Sequence, residues 1–198
     1  YPESIYNQIK LNDILNIGFS NLRLKVIKKG KNILCKVLSS GKFENNKGVH
    51  IENRKIKLNY LTEKDLKAIE IGKKFKIKNY ALSFTNSTYD IIKFNNLLKS
   101  KNKIFKIETS KAIKDFKSIL KRGDYFLIDR GDLSKDVQIE NIPLVQRNLF
   151  KLKKKYKKKK IYVATNLLES MVENSYPNRG EANDIYNCLE LGSSGLVL

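Results

Sequence analysis

The chain has no tryptophan, one methionine, two cysteines, and 20 acidic residues against 40 basic ones. Each shortage removes a class of protein. Cys35 and Cys188 lie far apart, without metal-ligand spacing, in otherwise apolar stretches. That excludes a disulfide scaffold and a cysteine zinc cluster, and predicts buried, reduced thiols. No run approaches 18 uninterrupted apolar residues and no signal peptide opens the chain, so a soluble cytoplasmic protein is expected, without a membrane partner. No solenoid-type repeat is present, because the helical segments differ in length and pattern.

What the chain does have is lysine. A formal charge of +20 first suggests nucleic acid or an acidic membrane surface. The same sequence is rich in Asn and Ile and poor in Ala, as an AT-rich genome would encode, and compositional drift is the simpler cause. The sharpest basic run, Lys151-Leu152-Lys153-Lys154-Lys155-Tyr156-Lys157-Lys158-Lys159-Lys160, falls at the end of a helical pattern, where cations complement the helix dipole. It reads as a solvated helix end and loop. No stacking motif, zinc spacing or recognition-helix signature accompanies it, so nucleic acid is not the expected partner.

Residues 1–50 read as a small all-β module. Asn21 to Lys28 alternates apolar with polar, Lys29-Gly30-Lys31 makes a turn, and Asn32 to Leu38 alternates again: a β-hairpin with one wet face. Residues 51–198 read as strand and helix in alternation. Thr62-Glu63-Lys64-Asp65 predicts a helix cap. Strands are expected at 80–84, 104–108, 125–128, 161–165 and 196–198, with helices from about 66 to 72, 88 to 98, 111 to 120, 143 to 155 and 181 to 191. Short apolar strands separated by helices predict an α/β fold with a parallel sheet.

Three strings stand at the downstream ends of successive strands: Lys106-Ile107-Glu108, Arg130-Gly131-Asp132-Leu133 and Ala164-Thr165-Asn166-Leu167-Leu168-Glu169-Ser170-Met171. The carboxyl ends of parallel strands are where a (β/α) barrel builds its site. Glu108 and Asp132 can converge on a divalent cation, since paired carboxylates with water and substrate oxygens are the usual Mg²⁺ ligands. Lys106, two residues before Glu108, points to the same side and can neutralise a transferring phosphoryl group. Gly131 and Asp132 offer backbone N–H groups to a substrate carboxylate, and Thr165 adds a hydroxyl.

These strings resemble the pyruvate kinase family, over roughly Leu11 to Leu198. Family members show Lys-Ile-Glu-Asn, Ala-Arg-Gly-Asp-Leu-Gly and Ala-Thr-Gln-Met-Leu-Glu-Ser-Met; a further family string, Pro-Thr-Arg-Ala-Glu followed by Asp, is similar to Pro177-Asn178-Arg179-Gly180-Glu181 and Asp184. Upstream, Asn46-Lys47-Gly48-Val49 and Leu61-Thr62-Glu63-Lys64-Asp65 resemble Lys-Gly-Val and Leu-Ser-Glu-Lys-Asp. The chain departs at His50, Asp129, Ser134 and Gln138, where the family strings have Asn, a small residue, Gly and Pro. The Leu-Pro-Gly after His50 and an Arg shortly after Ser83-Phe84 are absent.

The resemblance implies a (β/α)₈ TIM barrel, of which residues 51–198 supply strands four to eight, preceded by the end of a β-rich lid domain. It implies phosphoryl transfer from phosphoenolpyruvate to ADP, giving pyruvate and ATP in glycolysis. Mg²⁺ or Mn²⁺ would be bound by Glu108 and Asp132, and a K⁺ site would lie outside this chain. Lys106 would stabilise the transferring phosphoryl group; Gly131 and Asp132 amides would hold the substrate carboxylate beside Thr165, which sits near the enolate. Lys47 would approach nucleotide phosphates, and Arg130 would be structural. A homo-oligomer, a tetramer by resemblance, is also implied. Two other readings stand beside this one: a Mg²⁺-dependent aldolase or lyase acting on phosphoenolpyruvate or pyruvate, and an inactive lysine-rich paralogue that binds polyanions. The chain begins at Tyr1 and ends inside an apolar strand, so a piece of a longer protein is expected, inactive by itself.

Overall fold

Two periodicities in the sequence produce two kinds of sheet. The computed structural model describes residues 3–18, 22–45, 47–52, 54, 56–99 and 101–198, which divide into a unit of residues 1–59 and a unit of residues 60–198. Tyr1, Asn21 of the expected hairpin and Asn46 of the Lys-Gly-Val-like string lie outside the described residues.

The first unit opens with a short helix, α1 (Glu3–Tyr6), and forms an antiparallel sheet from β1 (Ile14–Ile17), β2 (Leu22–Lys29), β3 (Ile33–Ser39) and β4 (Val49–Ile51), in the order β3-β2-β1-β4. The β2–β3 hairpin pairs Lys29 with Ile33 across the expected turn. Ile9, Leu15, Ile17, Leu22, Val26 and Ile51 form the core. Register shifts after Arg23 and Val26 break the simple alternation, and Ile27, Leu34 and Val37 stay exposed alongside the polar residues. Cys35 is half-buried rather than buried, because β3 is an edge strand; burial still raises its thiol pKa.

The unit continues beyond residue 50, the expected limit of the module. The fork of Arg54 reaches back to Asp13, with Nε 2.9 Å from Oδ1 and a second nitrogen 2.5 Å from Oδ2, and Ile56 packs on the core. The Arg54 hydrogen bonds, helped by the Lys10 N–H, outweigh burial and hold the Asp13 carboxyl below the ordinary aspartate range. Because its folded pKa lies under the unfolded one, the stabilisation is complete above about pH 4 and is lost as pH falls through the folded value. Asp13→Asn should therefore cost about 1–2 kcal/mol in urea unfolding at pH 7 and progressively less towards pH 3. An equal cost at both pH values would refute the pairing.

In the second unit, five strands form one parallel sheet in chain order: β5 (Asn79–Leu82), β6 (Asn102–Ile107), β7 (Tyr125–Asp129), β8 (Lys160–Ala164) and β9 (Gly195–Val197). Helices α2 (Glu63–Lys74), α3 (Thr88–Leu97), α4 (Ser110–Lys114), α5 (Phe116–Arg122), the turn α6 (Arg130–Leu133), α7 (Ile142–Lys153) and α8 (Arg179–Glu190) connect them. This is the strand–helix order of part of a (β/α)₈ barrel. The expected helix over 111–120 is two, divided at Asp115.

Alternation sorts the strands' two faces. Phe105, Ile107, Phe126, Ile128, Ile161 and Val163 are essentially unexposed and pack against Phe94, Phe116 and Phe150. Lys106, Leu127 and Tyr162 occupy the opposite face and are half-buried. Helix starts are tied down by acids. Thr62 and Asp65 form a reciprocal capping box on α2. Asp115 accepts the N–H and hydroxyl of Thr88, and Asp136 those of Ser110 at 2.7 and 2.8 Å. Cys188 is buried and reduced. No described helix is long and apolar enough to cross a membrane.

Candidate active site

β6 and β7 pair with Lys106 opposite Leu127 and Ile107 opposite Ile128. That register brings the next residues, Glu108 and Asp129, side by side where the strands end. Lys106 and Glu108 share a face, as the two-residue period requires. The Lys106 ammonium lies 2.5 Å from Glu108 Oε1 and 2.9 Å from Asp129 Oδ2. Burial disfavours its charge, yet the two carboxylates outweigh burial and raise its pKa above the ordinary lysine value.

The Glu108 side chain is fully buried. Its Oε2 accepts the Phe84 N–H, and Oε1 faces the Lys106 ammonium at 2.5 Å. Burial pushes its carboxyl above the ordinary glutamate range, against the pull of Lys106. Asp129 is also buried, and that too favours its neutral form; Lys106 and then the Asp132 N–H and Thr165 hydroxyl bring its pKa below the aspartate value instead. One carboxylate oxygen from each of Glu108, Asp129 and Asp132 lies within 4.8 Å of the others. Three hard oxygen donors at that spacing fit a divalent cation.

The expected partners Glu108 and Asp132 are thus brought together, with Lys106 and Thr165 beside them. Asp129 joins the acids. Thr165 follows β8 with φ +67°, a left-handed backbone rare for a β-branched residue. Its hydroxyl accepts the Gly131 N–H at 2.7 Å and lies 3.2 Å from Asp129 Oδ1 and 2.6 Å from its neighbour's Ala164 carbonyl. Gly131 makes this approach easy: a Cβ there would come 3.3 Å from the Thr165 hydroxyl oxygen, which would have to give by a few tenths of an ångström. The Asp132 N–H points to Asp129 Oδ1 at 3.4 Å. Both amides expected to face a substrate carboxylate are therefore held by side chains, which a ligand would have to displace. Asp132 Oδ1 pairs with Lys135 at 3.0 Å. Lys47, in the first unit, is exposed and pairs with Glu44 at 2.9 Å.

Arg130 supports the site from beneath. Its guanidinium is buried, grips both oxygens of Asp184 at 2.9 and 2.6 Å, and donates to the carbonyls of Thr165 and Asn166. Glu181 caps α8 with Asn178 and also accepts the N–H and hydroxyl of Ser170. The lysine run is partly engaged: Lys159 pairs with Asp124 at 2.8 Å, and Lys153 donates to the Gly192 carbonyl.

The chain matches the family described as pyruvate kinase, barrel domain, over residues 1–198. It is 32% identical over 200 residues to the pyruvate kinase of Thermotoga maritima, covering 98% of this chain and 43% of that protein. It is 31% identical over 202 residues to the pyruvate kinase of Clostridium perfringens, covering 99% and 42%. It is 32% identical over 186 residues to that of Methanocaldococcus jannaschii, covering 92% and 41%. The chain therefore spans about two fifths of the length of these relatives.

Proposed function

The chain belongs to the pyruvate kinase family, and from that premise we propose that its second unit supplies the phosphoenolpyruvate side of a Mg²⁺-dependent phosphotransferase making pyruvate and ATP. The observation that carries this reading is the Lys106 ammonium set between Glu108 and Asp129, with Asp132 and Thr165 alongside.

On this reading Glu108 and Asp132 hold the divalent cation, which supplies positive charge against the phosphoryl oxygens. Lys106 adds a second cation, kept protonated by its carboxylate neighbours, where charge develops as the phosphoryl group leaves. Gly131, Asp132 and Thr165 line the place of the substrate carboxylate and enolate; with Asp132 engaged on the cation, the Thr165 hydroxyl is the group left to hold or pass a proton. Its left-handed backbone and the Arg130 clamp keep that hydroxyl in one orientation. The first unit is read as the end of a lid domain that excludes water on closing, with Lys47 directed to nucleotide phosphates. A K⁺ requirement, a homo-oligomeric state and a cytoplasmic location belong to the same proposal, with no residue of this chain assigned to them.

The test is pyruvate release by the full-length protein. It should require phosphoenolpyruvate, ADP and Mg²⁺ or Mn²⁺ together. Aldol cleavage without ADP would assign the same carboxylates to a lyase. Absence of any turnover alongside salt-sensitive polyanion binding would assign the lysine-rich surface instead.

A further inference from the structure

Asp129 has no part in the cation site proposed above, and the family string Ala-Arg-Gly-Asp has alanine at its place. Yet it is buried, 7% exposed, with a carboxylate oxygen within 4.8 Å of those of Glu108 and Asp132. Three carboxylates gathered this closely, two of them buried, repel one another. Lys106 answers two of them and Lys135 the third, at 3.0 Å. The Lys106 ammonium, 2.5 Å from Glu108 Oε1 and 2.9 Å from Asp129 Oδ2, already sets one positive charge between these two acids, so the pair is arranged to share a cation.

We infer that Asp129 is a third carboxylate ligand of the divalent cation in this chain, joining Glu108 and Asp132. The inference rests on the assignment of that cation to Glu108 and Asp132. Ligand charge tunes the affinity of hard-cation sites. A third acid replaces one water or substrate oxygen in the coordination shell, so the cation binds tightly before phosphoenolpyruvate arrives. A chain with alanine at this place depends more on the substrate to complete its shell.

Mn²⁺ binding to the full-length protein without substrate, followed by the electron paramagnetic resonance of free Mn²⁺, tests this together with Eu³⁺ luminescence lifetimes in H₂O and D₂O. Asp129→Ala should weaken Mn²⁺ binding about tenfold or more and add about one Eu³⁺-coordinated water. Asp129→Asn, which preserves shape, should weaken binding in the same direction and guards against a folding artefact in the alanine variant. Unchanged or tighter Mn²⁺ binding in both variants would mean that Asp129 merely holds Lys106, and would overturn the inference. Weaker binding without an added water in Asp129→Ala would mean action through charge alone, and would overturn it too. Asp132→Asn separates the two levels: if it leaves binding intact, the underlying cation assignment fails; if it weakens binding while Asp129→Ala does not, only the third ligand fails.

Discussion

Lys106→Met should lower turnover of the full-length protein by about three orders of magnitude, while leaving it folded in the presence of Mg²⁺. The ammonium lies between two carboxylates at the end of β6, and these raise its pKa, which favours its charged form. Methionine keeps the length of the stem and removes the charge. If the phosphoryl group is stabilised by this ammonium, the loss falls on kcat with little change in the KM for ADP, because the group acts on the transition state. Lys106→Arg restores charge without the compact ammonium geometry and should recover only a small part of the rate. Retained turnover in Lys106→Met would end the catalytic assignment.

The same substitution has a second, separable effect. Without Lys106, the buried Glu108 and Asp129 face one another with no intervening ammonium. Removing one partner of a buried ion pair commonly costs about 3–5 kcal/mol, since the remaining charge is left uncompensated. A divalent cation held by these acids would offset that repulsion. Mg²⁺ should therefore raise the melting temperature of Lys106→Met by more than it raises that of the unsubstituted protein. Equal shifts would show that the cation does not sit among these carboxylates.

Much of this arrangement is visible in the sequence, for local reasons. The Thr62–Asp65 box, the five parallel strands and the common direction of Lys106 and Glu108 all follow from capping chemistry and period-two alternation, which act within a few residues. Asp129 is different. Read along its own strand it is a departure from the family string that sets a charge near the expected metal ligands, and the register of β7 against β6 makes it a direct neighbour of Glu108. That register follows from aligning Ile107 with Ile128, so the signal was present but needed the strand pairing. The Arg130–Asp184 and Ser170–Glu181 contacts join residues from separate βα units, and no local pattern points to them. The left-handed Thr165 runs against β-branched preference, so propensity alone argues for the extended strand end that was expected. The lysine run hid its own pairing, because Asp124 lies far away in sequence.

Arg130→Ala should cost about 3 kcal/mol in urea unfolding, more than the loss of an exposed ion pair would predict. The guanidinium is only 9% exposed and spends its donors on both Asp184 oxygens and on the Thr165 and Asn166 carbonyls. Those two carbonyls belong to consecutive left-handed residues, φ +67° and +54°, whose conformation costs free energy unless the surroundings enforce it. Arg130 is the group that enforces it, while Asp184 on α8 holds Arg130 in turn. Alanine therefore removes a partly desolvated charge pair together with the hydrogen bonds that hold the left-handed segment, and it leaves those two carbonyls without their buried donor. Arg130→Lys keeps the charge but has one nitrogen where the fork has three, so it should recover less than half of the loss. Asp184→Asn should cost less than Arg130→Ala, since α8 leaves Asp184 36% exposed and its amide can still meet solvent. If the proposed function holds, the consequence for catalysis runs through Thr165: once its carbonyl is released, the hydroxyl can leave the Gly131 N–H, and the KM for phosphoenolpyruvate should rise in Arg130→Ala. A cost below about 1 kcal/mol, within the range of surface substitutions, would mean that the Thr165 backbone is held by something other than Arg130.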